Sequence, residues 1–348
     1  MIRNIAVILI TFLCAIPARA CDVPVFRYAL ERWPVERYRL TISGLAELSA
    51  QQNQALNQLR ELAARTEIPV NLETPVFDTL RSGSPALELT CPLAADRPVI
   101  VWTGSLTPQN ARRIAESPLR RKIADRLTAG QSAVWLLLES GDQRLDGPAA
   151  SLLEDELKEL EQSLTLPEPM SALNVQNLPE LRVEFSVLRI SRADPEEEVL
   201  VRMLCASEPD LSKYSGRPIA FPVFGRGRVL YALVGEGINR ENVRAACAFL
   251  VGPCACEIKD LSPGMDLLIA ADWERAIEES WVDKVNATPL ASLAGMAEEL
   301  TAPAERRSAL KRGLGRLGFN VLITIAGVLS VLGILTFMIL RISGRRKR

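Results

Sequence analysis

The 348-residue sequence contains no histidine. That absence removes Ser-His-Asp and Cys-His catalysis, His-ligated zinc and non-haem iron, and the commonest general base near neutral pH. Carboxylate, Lys, Tyr and Cys chemistry stay open. An excess of one charge is also missing: 41 basic residues face 42 acidic ones, so the whole-chain balance points to no nucleic-acid partner. The cysteines never take a Cys-x-x-Cys spacing. Gly235-Glu236-Gly237 sits between an expected strand and an expected helix, but Arg240 stands where a dinucleotide fingerprint needs its third glycine. Carboxylates cluster at Glu196-Glu197-Glu198 and Glu278-Glu279, which reads as solvated helix surface rather than an acid/base pair. No catalytic constellation, cofactor motif or metal site is therefore expected.

What is present lies first at the two ends. Arg3, the apolar run Ile5 to Ile16 and Ala18-Arg19-Ala20 form the n-region, h-region and cleavage site of an export signal, leaving Cys21 as the new N-terminus. Acylation of Cys21 and an uncleaved anchor are the alternatives, and each also exports the chain that follows. From Val321 to Leu340 only Thr324, Ser330 and Thr336 interrupt an apolar run long enough, as a helix, to cross a hydrocarbon core of about 30 Å. Its flanks carry equal basic sets, Arg306, Arg307, Lys311, Arg312 and Arg316 before it and Arg341, Arg345, Arg346, Lys347 and Arg348 after it. Charge bias cannot orient the span. The export signal does, with the N-terminal domain outside and the C-terminus cytoplasmic. Ala326, Ser330 and Gly333 share one helical face and could support close helix contact or self-association.

Between the ends, 48% hydrophobic and 24% charged residues are the composition of globular domains. The expected organisation is a signal peptide at 1–20, an α/β domain at 21–165, a linker at 166–175, a second α/β domain at 176–275, a stalk at 276–317, a transmembrane helix at 318–340 and a basic tail at 341–348. Helices are expected at Val25 to Trp33, Leu45 to Thr66 with Ser43 as cap, Leu119 to Ala129, Ala149 to Leu164, Pro195 to Ser207 and Arg240 to Val251. In the third of these, Arg120, Arg121, Lys122 and Arg126 are assigned to solvent. Strands are expected at Tyr38 to Ile42, Pro69 to Phe77, Ala86 to Cys91, Pro98 to Trp102, Ala133 to Leu138, Leu181 to Ile190, Pro218 to Phe224 and Val229 to Val234.

In an exported, oxidising setting Cys21, Cys91, Cys205, Cys247, Cys254 and Cys256 are disulfide candidates. Cys254-Ala255-Cys256 has two readings. As a thiol pair it could exchange disulfides or, with Cys247, hold a soft ion such as Cu(I) or zinc. As structure, each sulfur pairs with a distant cysteine and ties the last helix to the sheet.

The stretch PIAFPVFGRGRVLYALVGEGINRENVRAACAFL, from Pro218 to Leu250, resembles the C-terminal half of a thioredoxin-like domain in its order of proline, strand, glycine turn, strand, polar loop and closing helix. AVWLLLESGD and the acidic helix after it resemble the same region more loosely. The resemblance implies an α/β fold, with α+β as the alternative, holding one or two degenerate thioredoxin-like three-layer units. It would match Pro218 or Pro222 to the family's cis-proline. The family's redox dithiol is missing, since Pro24 stands three residues after Cys21. The function expected is a membrane-anchored, non-enzymatic interaction or accessory protein of the cell envelope. The alternative is an extracytoplasmic thiol-disulfide or copper-handling protein using Cys254 and Cys256.

Overall fold

A computed structural model of the chain describes residues 21–44, 47–81, 83–91, 99–167, 181–254 and 264–277. The expected signal peptide, transmembrane span and tail, most of the linker and stalk, and Cys256 lie outside these residues. Among the described residues no helix is long and apolar enough to cross a membrane. They build a mixed α/β fold with three sheets.

The first element is a short strand, β1 (Cys21–Pro24), which runs directly into α1 (Val25–Arg32). A four-stranded sheet follows, made of β2 (Arg39–Ser43), β3 (Val76–Asp78), β4 (Ala86–Cys91) and β5 (Val99–Ser105) in the order β3-β2-β4-β5. Only β2 and β3 are parallel. The strand expected from Pro69 is shorter than its apolar pattern suggests, because Val70 and Leu72 make only isolated bridges, to Ala270 and Tyr38. Helix α2 (Ala50–Ala63) begins later than expected. Its cap is Ser49 rather than Ser43: the hydroxyl accepts from the Gln52 amide while the Gln52 side chain accepts from the Ser49 amide, satisfying two end donors at once.

Helices α3 (Pro108–Ala115) and α4 (Pro118–Thr128) each start with proline at the first turn behind a hydroxyl cap, Thr107 and Ser117. They lead into β6 (Ala133–Leu138), whose six side chains are all buried. After β6 come α5 (Gln143–Ser163), β7 (Phe185–Ile190), α6 (Glu198–Ala206), β8 (Ile219–Phe224), β9 (Arg228–Val229), β10 (Leu233–Val234) and α7 (Arg240–Val251). Two short strands close the described chain, β11 (Pro253–Cys254) and β12 (Met265–Asp266). The large sheet has the order β12-β9-β8-β6-β7, with β10 also on β8. Strands β6 and β7 are parallel from Ala133 opposite Phe185 to Leu138 opposite Ile190. Strands β6 and β7 thus belong to one sheet although they fall on opposite sides of the expected 166–175 linker.

Alternation along β6 divides the core. Val134, Leu136 and Leu138 enter a cluster with Ile123 and Leu127 of α4 and Leu200 and Leu204 of α6, which extends to the four-stranded sheet. Ala133, Trp135 and Leu137 enter another, with Leu153 and Leu157 of α5, Val243 and Leu250 of α7, and Val25 and Phe26 of α1. A strand covered on both faces needs apolar residues at every position, which is why AVWLLL carries no polar member. Gly225, in the turn after β8, has φ +58°, and a Cβ there would stand 2.8 Å from that of Ala29. The turn is pressed onto α1 closely enough that glycine is required.

Candidate functional site

In open α/β sheets ligands bind outside the carboxyl ends of the parallel strands. Here that place is the end of β6 and β7. Asp146, buried in α5, accepts from the Ser140 amide at 2.7 Å, the Ser140 hydroxyl at 2.8 Å and the Gly141 amide at 2.9 Å. Asp142 caps α5 by accepting from the Arg144 amide at 3.0 Å, and the Arg144 guanidinium holds its carboxyl below the usual carboxylate range. Arg192 crosses the end of the strands, donating through Nε to the Glu139 carbonyl (2.9 Å) and through Nη2 to the Arg217 carbonyl (3.2 Å), with Nη1 3.7 Å from Cys205 Sγ. Beside them lies an open cavity of about 540 Å³ bordered by Arg192, Asp194, Glu198, Arg202, Cys205 and Ser212. Its charges are of both signs, and the side chains over β6 are engaged with one another. Neither Arg192 nor Asp146 stands out in the sequence.

The larger opening is a groove of about 1280 Å³ between α4, the 65–68 segment and the 270–276 segment. Its lining includes Arg65, Arg121 and Arg275 together with Glu67, Asp125 and Asp272. This is a wide, mixed-charge surface without a convergent acid, base or nucleophile.

The described thiol candidates fall on five different elements. Cys91 ends β4, buried, and desolvation pushes its thiol up to about 12, an effect the Tyr38 hydroxyl beside it opposes only in part. Cys247, buried in α7, is likewise pushed up to about 12 by desolvation, with the Trp135 indole opposing. Burial thus favours the protonated thiol at both positions, the less nucleophilic form. Cys205 is half-buried on α6, and Cys254 is buried in β11 within the same apolar cluster as Cys247. Cys21 lies in β1. Among the described residues no three His, Cys, Asp or Glu side chains are grouped to hold a metal ion. Pro218 and Pro222 both follow trans peptide bonds, unlike the proline that the resemblance would match to them.

No family model, curated protein or solved structure matches this chain. Function rests on the side chains themselves, and two buried polar networks that the sequence pattern misses account for much of their chemistry. Arg120, expected on the solvent face of α4, is 2% exposed. It donates to the carbonyls of Ile114 (3.1 Å), Leu268 (3.0 Å) and Arg113, and through Nε to the Ser117 hydroxyl (3.2 Å). Ser117 donates in turn to Glu197 at 2.6 Å, and Glu197 also accepts from the Leu119 amide at 2.8 Å. Desolvation lowers the guanidinium to about 10, with Glu197 opposing. Glu197 is 1% exposed, so the middle carboxylate of the acidic triplet is not surface at all.

In the second network Arg228 meets Asp266 at 3.0 Å and Glu36 at 3.6 Å, while its guanidinium lies 5.9 Å from the centre of the Trp33 ring. The Tyr38 hydroxyl donates to the Asp266 carbonyl at 2.8 Å. Desolvation by burial, more than the nearby Cys91, Asp266 and Glu36, raises the Tyr38 phenol well above its ordinary range. Both networks hold together elements distant in sequence.

Proposed function

We propose that the chain is a membrane-anchored exported protein whose mixed α/β ectodomain serves as a non-enzymatic interaction or accessory module of the cell envelope. The observation that carries this reading is the wider of the two openings just described, a mixed-charge groove suited to a polypeptide surface whose lining holds no cysteine or lysine. In this reading residues 1–20 direct export, 318–340 anchor the chain with its N-terminal domain outside, and the groove borders Arg275, close to where the chain leaves for the stalk. Charges of both signs favour a partner with its own alternating charges over nucleic acid, which would require a basic face.

The order β6-α5-β7-α6-β8-β9-α7, with β8 antiparallel to β6 and β9, supports a degenerate thioredoxin-like unit within the fold. In such a unit the dithiol would sit at the start of α5. Ser140-Gly141-Asp142-Gln143 stands there without sulfur, which favours a binding role over redox catalysis. The alternative, a thiol or copper protein, draws support from Cys247 and Cys254 sharing one cluster.

Crosslinking in intact membranes, followed by isolation of the full-length chain, tests the accessory reading. A defined envelope protein bound through the groove is the expected product, lost when Arg121 and Arg275 are reversed to Glu. A chain that remains solitary under crosslinking refutes it. Protease added outside intact cells should digest the ectodomain, and full protection would overturn the orientation. Unchanged function after Cys254→Ser and Cys256→Ser would exclude the thiol and copper alternative.

A further inference from the structure

Strands β1 and β11 form a ladder of their own, apart from both larger sheets. They run antiparallel, with Cys21 opposite Cys254 and Pro24 opposite Pro253, and an irregularity between the two pairs. The fold fixes this pairing from outside the ladder. The Val25 amide donates to the Gly252 carbonyl at 3.0 Å, and Phe26 and Ala29 of α1 share a buried cluster with Ala246, Leu250 and Val251 of α7. Residues directly opposite in an antiparallel ladder have Cα atoms about 4.5–5.5 Å apart. A disulfide needs roughly 4.4–6.8 Å. The other described cysteines lack such a counterpart: Cys91 faces Val99, and Cys205 and Cys247 lie on separate helices.

We propose that Cys21 and Cys254 are joined by a disulfide that clasps the start of the exported chain to the strand after α7. The closure in cells rests on the export reading above; the pairing itself rests on the register. The oxidant is a protein disulfide of the envelope. One cysteine thiolate attacks it, giving a mixed disulfide and freeing one donor sulfur. The second cysteine then attacks the mixed disulfide, forming the Cys21–Cys254 bond and releasing the other donor sulfur. Two thiols of this chain are oxidised, one donor disulfide is reduced to a dithiol, and the two thiol protons end on the donor. Acylation of Cys21 would consume the same sulfur, so lipid anchoring and the clasp exclude each other.

The test is peptide mapping of full-length protein, extracted into detergent after acid quenching and N-ethylmaleimide blocking, without and with reduction. The expected result is one species linking the Cys21 and Cys254 peptides, about 2 Da lighter than their sum and separated by reductant. In a second arm the protein is fully reduced and reoxidised with oxidised glutathione. A link formed only in the second arm upholds the pairing and overturns the export reading. A link in neither arm, lipid on Cys21, or either cysteine bonded to another partner in both arms overturns the pairing.

Discussion

Replacing Glu197 by Gln removes one charge from the most deeply buried network while nearly preserving shape. Glu197 and Arg120 are 1% and 2% exposed, and Ser117 bridges them. The substitution leaves the Arg120 guanidinium in the core without the carboxylate that offsets its burial. Removing one member of a buried pair costs about 3–5 kcal/mol, and an indirect contact belongs at the lower end, about 3 kcal/mol. The compact unit ends at Asn286. A unit of that size changes its melting temperature by about 2 °C per kcal/mol, which gives a fall of about 6 °C. Near-ultraviolet circular dichroism of the full-length protein in detergent reads this through the buried tryptophans. Arg120→Met should also destabilise, but the double variant should cost at least about 1 kcal/mol less than the sum, because it no longer strands a charge. Additive effects, or a Glu197→Gln melt within about 2 °C of the parent, would refute the account of the network.

Two buried thiols make alkaline stability a further check. The folded state holds the Cys91 and Cys247 protons up to about 12 where an unfolded chain releases them near 9, so this stabilisation is complete below about pH 9 and lost as pH rises through about 12. Melts across that window should steepen downward, less so in Cys247→Ala; thiolate absorbance from these two residues near pH 9 in folded protein would contradict it. Asp146→Ala deletes three hydrogen bonds to one carboxylate and should cost about 2–4 kcal/mol. Hydrogen exchange should quicken first at Ser140 and Gly141, and uniform exchange would count against a local brace. At Gly264 a Cβ would meet the Val229 carbonyl oxygen at 2.1 Å, so Gly264→Ala should lose more than about 2 kcal/mol in chemical denaturation. An unchanged midpoint would mean that this approach is looser than described.

Elements defined by near-neighbour patterns were legible from the sequence. Helix α7 has both expected ends, and Ala133–Leu138 is the strand its unbroken apolar run implies. Helix α4 lies within a residue of the Leu119 to Ala129 span that its pattern predicts. Two misreadings share one cause: charge alone suggests solvent for a side chain whose partner is distant. Arg120 looks solvated on a helical wheel, and nothing in its neighbourhood announces the Leu268 carbonyl. Glu197 looks like one of three surface carboxylates until Ser117 and Leu119 arrive from eighty residues away. The Ser49–Gln52 capping box is a local signal of a different kind, and it sets the helix cap six residues beyond Ser43. The β1–β11 register was not readable, since two short strands carry too little pattern to declare their alignment.

The distance between those two strands along the chain also sets a timetable. Translation delivers Cys21 first and Cys254 more than two hundred residues later, an interval of roughly 10–50 s at about 5–20 residues per second. Asn71 waits as well, since its side chain bonds Leu267 and Ile269. The opening segment therefore leaves the ribosome long before its partners exist. It must be kept from pairing elsewhere throughout that interval, and a truncation before residue 254 would leave the beginning of the molecule unfinished, not just its end.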